Sequence, residues 1–252
     1  MTRPVVVITG ASRGIGKQLA IDFAAGGYDV ACLARSAKGA EGKLPGTIDE
    51  TAEEVQKAGG KALALSVDVR SEEQVEEAAK RVYEELGRCD VLINNAAVGI
   101  PGRTLEVSTK NWRLGVDINV NGAYYMINSF CRRMLDAGEG RVINISTMVA
   151  WAPEFGRINY MVTKRALEAL TEGAAYDFRG KIAVNCIRLE VMVWTEGFAA
   201  TLGDVDRSGF EHPVIMSDAA LWIAKQPLDY TGHIVTISDL REMGVVRGVT
   251  PA

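Results

Sequence analysis

Tyr160 and Lys164 stand four residues apart in the stretch YMVTK. On a helix that spacing puts a phenol and an ammonium on one face, one turn apart. A free phenol has a pKa near 10, a poor match to proton transfer near neutral pH. A neighbouring ammonium favours the phenolate and lowers that pKa. The pair therefore predicts a general acid/base. A second chemical signal lies near the amino terminus, where the apolar run Val5–Ile8 leads directly into TGASRGIG. A buried strand that ends in a glycine-rich turn and continues as a helix aims free backbone N–H groups and the positive end of a helix dipole at one point. Anions bind there.

The spacing of that loop excludes one common reading. A P-loop has four residues between its first glycine and Gly-Lys-Ser/Thr. Here Ala11 to Ile15 separate Gly10 from Gly16-Lys17, and Gln18 stands where the magnesium-binding hydroxyl belongs. ATP hydrolysis is disfavoured, while close backbone approach to a pyrophosphate is not.

Several elements must hold these groups in place. Runs rich in Val, Ile and Ala recur near residues 4–9, 28–34, 61–67, 90–94, 140–146, 181–188 and 233–237. Between them, Val75, Ala79, Val82 and Leu86 make one helical stripe; Val120, Tyr124, Ile127, Cys131 and Met134 make a second; Leu167, Leu170, Ala174 and Phe178 make a third. The alternation predicts an α/β protein, a doubly wound three-layer Rossmann fold with a mainly parallel seven-stranded sheet. The stretch 36–48, with its Gly and Pro, reads as a polar loop. No internal repeat or linker divides the chain, so one domain over 1–252 is expected.

The chain has 252 residues, is 48% hydrophobic and 24% charged, and carries a formal net charge of -4. This is a globular composition, with no electrostatic reason to seek nucleic acid. No apolar run approaches the roughly 18 residues of a membrane span, and the first strand begins within a few residues of Met1 without a signal peptide. A cytoplasmic protein is expected, without a membrane partner. Cys32, Cys89, Cys131 and Cys186 are far apart and read as reduced core thiols. His212 and His233 are the only histidines, so a metal site is not expected.

Five motifs together resemble the short-chain dehydrogenase/reductase family, from Val5 to about Ile187. They are TGASRGIG, VDV with Asp68, NNAA from Asn94 to Ala97 (Ala97 where the family usually has Gly), DIN ending in Asn119, and YMVTK. The resemblance implies a nicotinamide dinucleotide lying on Gly10, Ser12, Arg13, Gly14, Ile15 and Gly16. Asp68 and Val69 would meet the adenine, followed by Asn95 and Ala96, with Tyr160 and Lys164 at the nicotinamide end. Tyr160 would exchange a proton with the substrate oxygen, Lys164 would also hold the nicotinamide ribose, and the Asn119 amide would anchor a water in the proton path. The family's substrate-orienting hydroxyl falls 13 positions before the Tyr, on Thr147. Strand alternation sends its neighbour Ser146 to the other face, so Thr147 is favoured, with Ser146 the alternative if the strand end is bulged.

An acid ending the second strand would accept the ribose hydroxyls of NAD, whereas a basic residue accommodates the extra phosphate of NADP. Here the strand ends Ala34-Arg35-Ser36, and Arg35 with Arg13 would clamp a 2′-phosphate. NADP(H) is expected over NAD(H). After the sixth strand Leu189-Glu190 replaces the family's Pro-Gly, and Thr195, which would reach the nicotinamide carboxamide, comes one step late. The loop at about 189–213 is expected to choose the substrate. Met148, Trp151, Phe155, Met192, Trp194 and Phe198 would wall a pocket for a hydrophobic ketone, aldehyde or alcohol. Glu190 would either recognise a polar substituent or cap a short helix near Thr195-Glu196. The resemblance also implies a homo-oligomer, a tetramer paired through helices beginning near Asn111 and Arg157.

Overall fold

The computed structural model describes residues 2–37, 44–197 and 206–247. Seven parallel strands form one sheet: β1 (Val5–Thr9), β2 (Asp29–Ala34), β3 (Ala62–Ser66), β4 (Val91–Asn94), β5 (Gly140–Thr147), β6 (Ile182–Leu189) and β9 (Ile234–Thr236), in the spatial order β3-β2-β1-β4-β5-β6-β9. The order reverses direction between β1 and β4. In open α/β sheets ligands bind in the crevice that such a reversal opens at the carboxyl ends of the strands.

The inner strands β2, β1, β4, β5 and β6 are buried on both faces, and their alternate side chains divide between two cores. Val6, Ile8, Val30, Cys32, Ile93, Ile143 and Ile187 face one layer, built on α1 (Gly14–Ala25), α2 (Ile48–Lys57), α7 (Val214–Ala224) and α8 (Ile237–Glu242). Val5, Val7, Ala31, Leu33, Leu92, Val142 and Val184 face the other, built on α3 (Glu72–Leu86), α5 (Gly122–Ala137) and α6 (Ile158–Asp177). The three layers are those expected from the alternation of strand and helix patterns. All four cysteines are buried and unpaired.

Local chemistry fixes where the helices start. α2 opens on a capping box between Thr47 and Glu50, and Ser71 caps α3 by accepting the Gln74 N–H. Ser108 does the same for α4 (Thr109–Val116). Between α4 and α5 the helix widens into one turn of π-helix, Asp117–Asn121, closed by a bond from the Gly122 N–H to the Asp117 carbonyl. A two-stranded pair, β7 (Met192–Val193) with β8 (Phe210–Glu211), lies outside the main sheet. No helix among the described residues is long and apolar enough to cross a membrane.

Candidate active site and dinucleotide loop

The glycine loop is built by Thr9, the last residue of β1. Its hydroxyl donates to the Ile93 carbonyl and accepts from the N–H groups of both Asn95 and Ala96, at 3.0 Å each. The Asn95 amide then donates to the Thr9 carbonyl at 2.9 Å and the Gly10 carbonyl at 3.3 Å. The chain after β4 is thus tied to the turn after β1. Gly10 has φ +67, and a Cβ on Gly16 would stand 2.2 Å from the Gly10 carbonyl oxygen, so both glycines are demanded by the backbone. Sequence reasoning missed Thr9 as a site builder, although a hydroxyl ending an apolar strand was the available signal.

Arg13, the residue before α1, is spent on its own neighbourhood. Its guanidinium donates to the Pro45, Leu44 and Gly46 carbonyls and to Ser36 Oγ at 3.1 Å. Arg13 thus holds the returning chain at 44–46 and Ser36, while Arg35 is exposed at the end of β2 and without a hydrogen-bond partner among the described residues. Asp68 accepts from Arg70, whose hydrogen bonds hold its carboxyl below the usual range. Its own N–H donates to Gln74 Oε1 at 2.9 Å. Val69 is buried and packs against Gly122, where an added Cβ would come within 2.8 Å of its side chain.

Tyr160 and Lys164 lie in the first two turns of α6. The Asn159 side chain holds this end of the helix close to α4: its Nδ2 donates to the Trp112 carbonyl at 3.0 Å, and only glycine at 115 leaves room for it. Asn119 adds a second tie. Its Oδ1 accepts the Val98 N–H at 2.8 Å, and its Nδ2 donates to the Val98 carbonyl and to Thr163 Oγ1, both at 2.9 Å. The amide expected to anchor a water is committed to protein partners on both sides. What it does is pin the chain after β4 to α6 between Tyr160 and Lys164.

Lys164 is buried and donates from Nζ to the Ile145 carbonyl at 2.6 Å. Burial pushes its pKa down to about 8, opposed by the negative charge of Glu168. Its Nζ lies 5.6 Å from the Tyr160 ring centroid. The expected depression of the Tyr160 pKa is corrected in this state: burial pushes the phenol up to about 12, and Arg157 is the charge acting against that rise. Desolvation of the phenolate dominates, and the ammonium of Lys164 is turned toward the end of β5.

That strand end separates the two candidate hydroxyls. Ser146 is buried and donates to Glu168 Oε1 at 2.8 Å. Thr147 is next in the strand, half-buried, and its hydroxyl has no hydrogen bond among the described residues. Glu168 was missed in the sequence, though it lies at i+4 from Lys164 on α6. It also accepts from Trp151 Nε1 at 2.6 Å and from Arg188 Nε and Nη2 at 2.9 Å each. Burial drives this carboxyl upward, but its donors prevail and hold it below the usual range. One carboxylate thereby ties together the end of β5, the loop after it and the end of β6. Trp151 lies against two guanidinium groups, Arg165 at 3.2 Å and Arg188 at 4.9 Å from its ring centroid.

The residues proposed as pocket walls divide in two. Met148, Trp151 and Phe155 after β5 and Met192 on β7 are exposed, while Trp194 packs edge-to-face on Phe210 at 5.1 Å. Phe198 lies outside the described residues. Glu190 Oε1 accepts the Ser238 N–H at 2.9 Å, in the first turn of α8, rather than capping a helix near Thr195. Thr195 rests on the glycine loop, its methyl carbon 3.1 Å from where a Gly14 Cβ would stand. Glu196, not anticipated, accepts the Gly14 N–H through Oε2 at 2.9 Å. A carboxylate seated at this N–H shows that the loop accepts an anion, as a pyrophosphate requires.

Residues 4–202 match the model of the short chain dehydrogenase family. The chain belongs to the short-chain dehydrogenase/reductase family. It is 35% identical over 253 residues to hydroxysteroid dehydrogenase-like protein 2 of Bos taurus, covering 98% of this chain and 60% of that one. The Danio rerio protein of the same name is 35% identical over 93% of this chain and 57% of its own. The chain thus spans about 60% of the length of these relatives. Among solved structures, a short chain dehydrogenase of Mycobacterium thermoresistibile superposes with a TM-score of 0.87 at 31% identity, covering 96% of this chain and 87% of the other. ElxO with NADP bound gives 0.81 at 25% identity over 95% and 100%.

Proposed function

We propose that this short-chain dehydrogenase/reductase is an NADPH-dependent carbonyl reductase, working in reverse as a secondary alcohol dehydrogenase, on hydrophobic ketones, aldehydes or alcohols. The observation that carries the reading is the bond from Lys164, one turn from Tyr160 on α6, to the carbonyl of Ile145, two residues before Thr147 on β5, in a fold whose glycine loop presents an N–H to a carboxylate. The bound nicotinamide would supply or accept the hydride. Thr147 orients the substrate oxygen with its hydroxyl. Tyr160 gives that oxygen a proton during reduction and takes it back during oxidation. Lys164, mostly protonated at pH 7 with a pKa of about 8, supplies the positive charge that a forming phenolate needs once the ribose and substrate draw it from Ile145.

Arg35 and the absence of an acid at Ala34 support NADP(H) over NAD(H). The exposed Met148, Trp151, Phe155 and Met192 support an apolar substrate. The names of the vertebrate relatives point the same way, to bulky secondary alcohols. A homo-oligomer, most simply a tetramer, fits the exposed Tyr124, Val162 and Tyr176 on α5 and α6. Incubating the protein with a panel of ketones and alcohols and following the absorbance of reduced nicotinamide tests the reading. Oxidation of NADPH by bulky ketones faster than of NADH is expected; no turnover of any member with either nucleotide would overturn it.

A further inference from the structure

The contact between Glu196 and the glycine loop has no place in the proton-transfer chemistry. α1 starts at Gly14, and the residue before it, Arg13, gives no side-chain cap. Its first N–H groups, at the positive end of the helix, need an acceptor from elsewhere. Glu196 brings one from 182 residues away in sequence, accepting at 2.9 Å, while Thr195 covers Gly14 from the same stretch. Two independent features thus lay this segment on the loop: a charge-assisted hydrogen bond and a methyl contact.

A carboxylate and a phosphate make the same demand on a helix N-terminus, an N–H donor in positive potential. They cannot both take the Gly14 N–H. We propose that Glu196 is an internal competitor for the pyrophosphate of the cofactor, closing the glycine loop until a nucleotide displaces it. The proposal rests on the nicotinamide reading above and deepens it by naming a residue that sets cofactor affinity. Displacement uses part of the nucleotide's binding free energy, and a carboxylate left near a pyrophosphate repels it. Because NADPH and NADH share the pyrophosphate, Glu196 weakens both alike. Arg35 acts differently, at the end of the cofactor where the two differ.

Glu196→Gln keeps the shape and an acceptor oxygen but removes the charge; Glu196→Ala removes both. The measurement is the Kd of NADPH and of NADH, read without substrate from the fluorescence of the bound nucleotide. The expected result is binding roughly three- to tenfold tighter in both variants for both nucleotides at low salt, the gain shrinking as salt is added. In the absence of nucleotide, Glu196→Ala should melt at a lower temperature than the parent, because α1 loses its acceptor, while its rise in Tm on adding NADPH grows. Unchanged or weaker affinity in Glu196→Gln overturns the competition, the latter showing that the carboxylate helps to hold the nucleotide. Failure of parent and variants alike to bind either nucleotide overturns the cofactor reading, and the competition with it.

Discussion

Lys164 Nζ donates to the carbonyl oxygen of Ile145 at 2.6 Å, inside the protein, with the Tyr160 ring centroid 5.6 Å away. A single carbonyl cannot replace the hydration of an ammonium, and burial accordingly lowers the lysine pKa to about 8. The site holds this charge at a cost, which the reaction recovers when a phenolate forms nearby.

That cost is measurable. A lysine whose pKa falls on folding binds fewer protons folded than unfolded between about pH 8 and its ordinary value of 10.5, so the parent gains stability as pH rises through that window. Lys164→Met has no such titration. It should be more stable than the parent at pH 7, by roughly 1–2 kcal/mol after loss of the bond to Ile145, and inactive. The difference should shrink toward pH 10. Denaturant midpoints across that range test this; a variant less stable than the parent at pH 7 would refute the balance.

Glu168 is the opposite case, a buried carboxylate with its partners in place. Glu168→Ala strands Arg188 and the Trp151 N–H and should destabilise by about 3–5 kcal/mol. Glu168→Gln, which keeps the shape, should cost less. Since the carboxyl is held below its usual range, its contribution is complete above about pH 4.3 and lost as pH falls through the lower folded pKa. The stability gap between parent and Glu168→Gln should therefore close in acid. A gap that persists unchanged below pH 4 would show that shape, not charge, fixes this junction.

Arg35 sits exposed behind Ala34, free of hydrogen bonds among the described residues. Arg35→Asp replaces a phosphate-binding guanidinium with an acid, losing a charge-assisted contact of roughly 1.5–3 kcal/mol and adding repulsion. kcat/KM for NADPH should fall by tenfold or more, while that for NADH changes little. Equal losses with both cofactors would remove Arg35 from cofactor choice.

The sheet was legible because parallel strands buried on both faces are written as short runs of β-branched residues. β1 was expected at 4–9 and observed at Val5–Thr9, and β9 was expected at 233–237 and observed at Ile234–Thr236. The pair β7 and β8 was not legible, since two residues carry no periodicity. The candidate residues were legible as types and spacings, but their commitments were not. Asn119 is spent on Val98 and Thr163, and Arg13 on the carbonyls of 44–46, because loops 21 and about 32 residues away in sequence return to them. The sign of the Tyr160 shift depended on how much water the fold removes, which no local spacing encodes.

The last prediction separates the proton donor from the hydroxyl that aims the substrate. Tyr160→Phe keeps the ring that packs beside Lys164 and deletes only the oxygen. NADPH binding should be retained while turnover falls by roughly 10²–10⁴-fold, the usual contribution of positioned proton transfer. Ser146 is buried and bonded to Glu168, whereas the Thr147 hydroxyl at the strand end has no hydrogen bond among the described residues. Thr147→Val, nearly isosteric, should therefore cut kcat/KM severely with little change in Tm. Ser146→Ala should leave most of kcat/KM and instead lower stability by about 1 kcal/mol, through the lost bond to Glu168. The reverse ranking would mean that the end of β5 rotates when substrate binds and delivers Ser146 to the oxygen. A Tyr160→Phe variant as active as the parent would remove the acid/base role altogether.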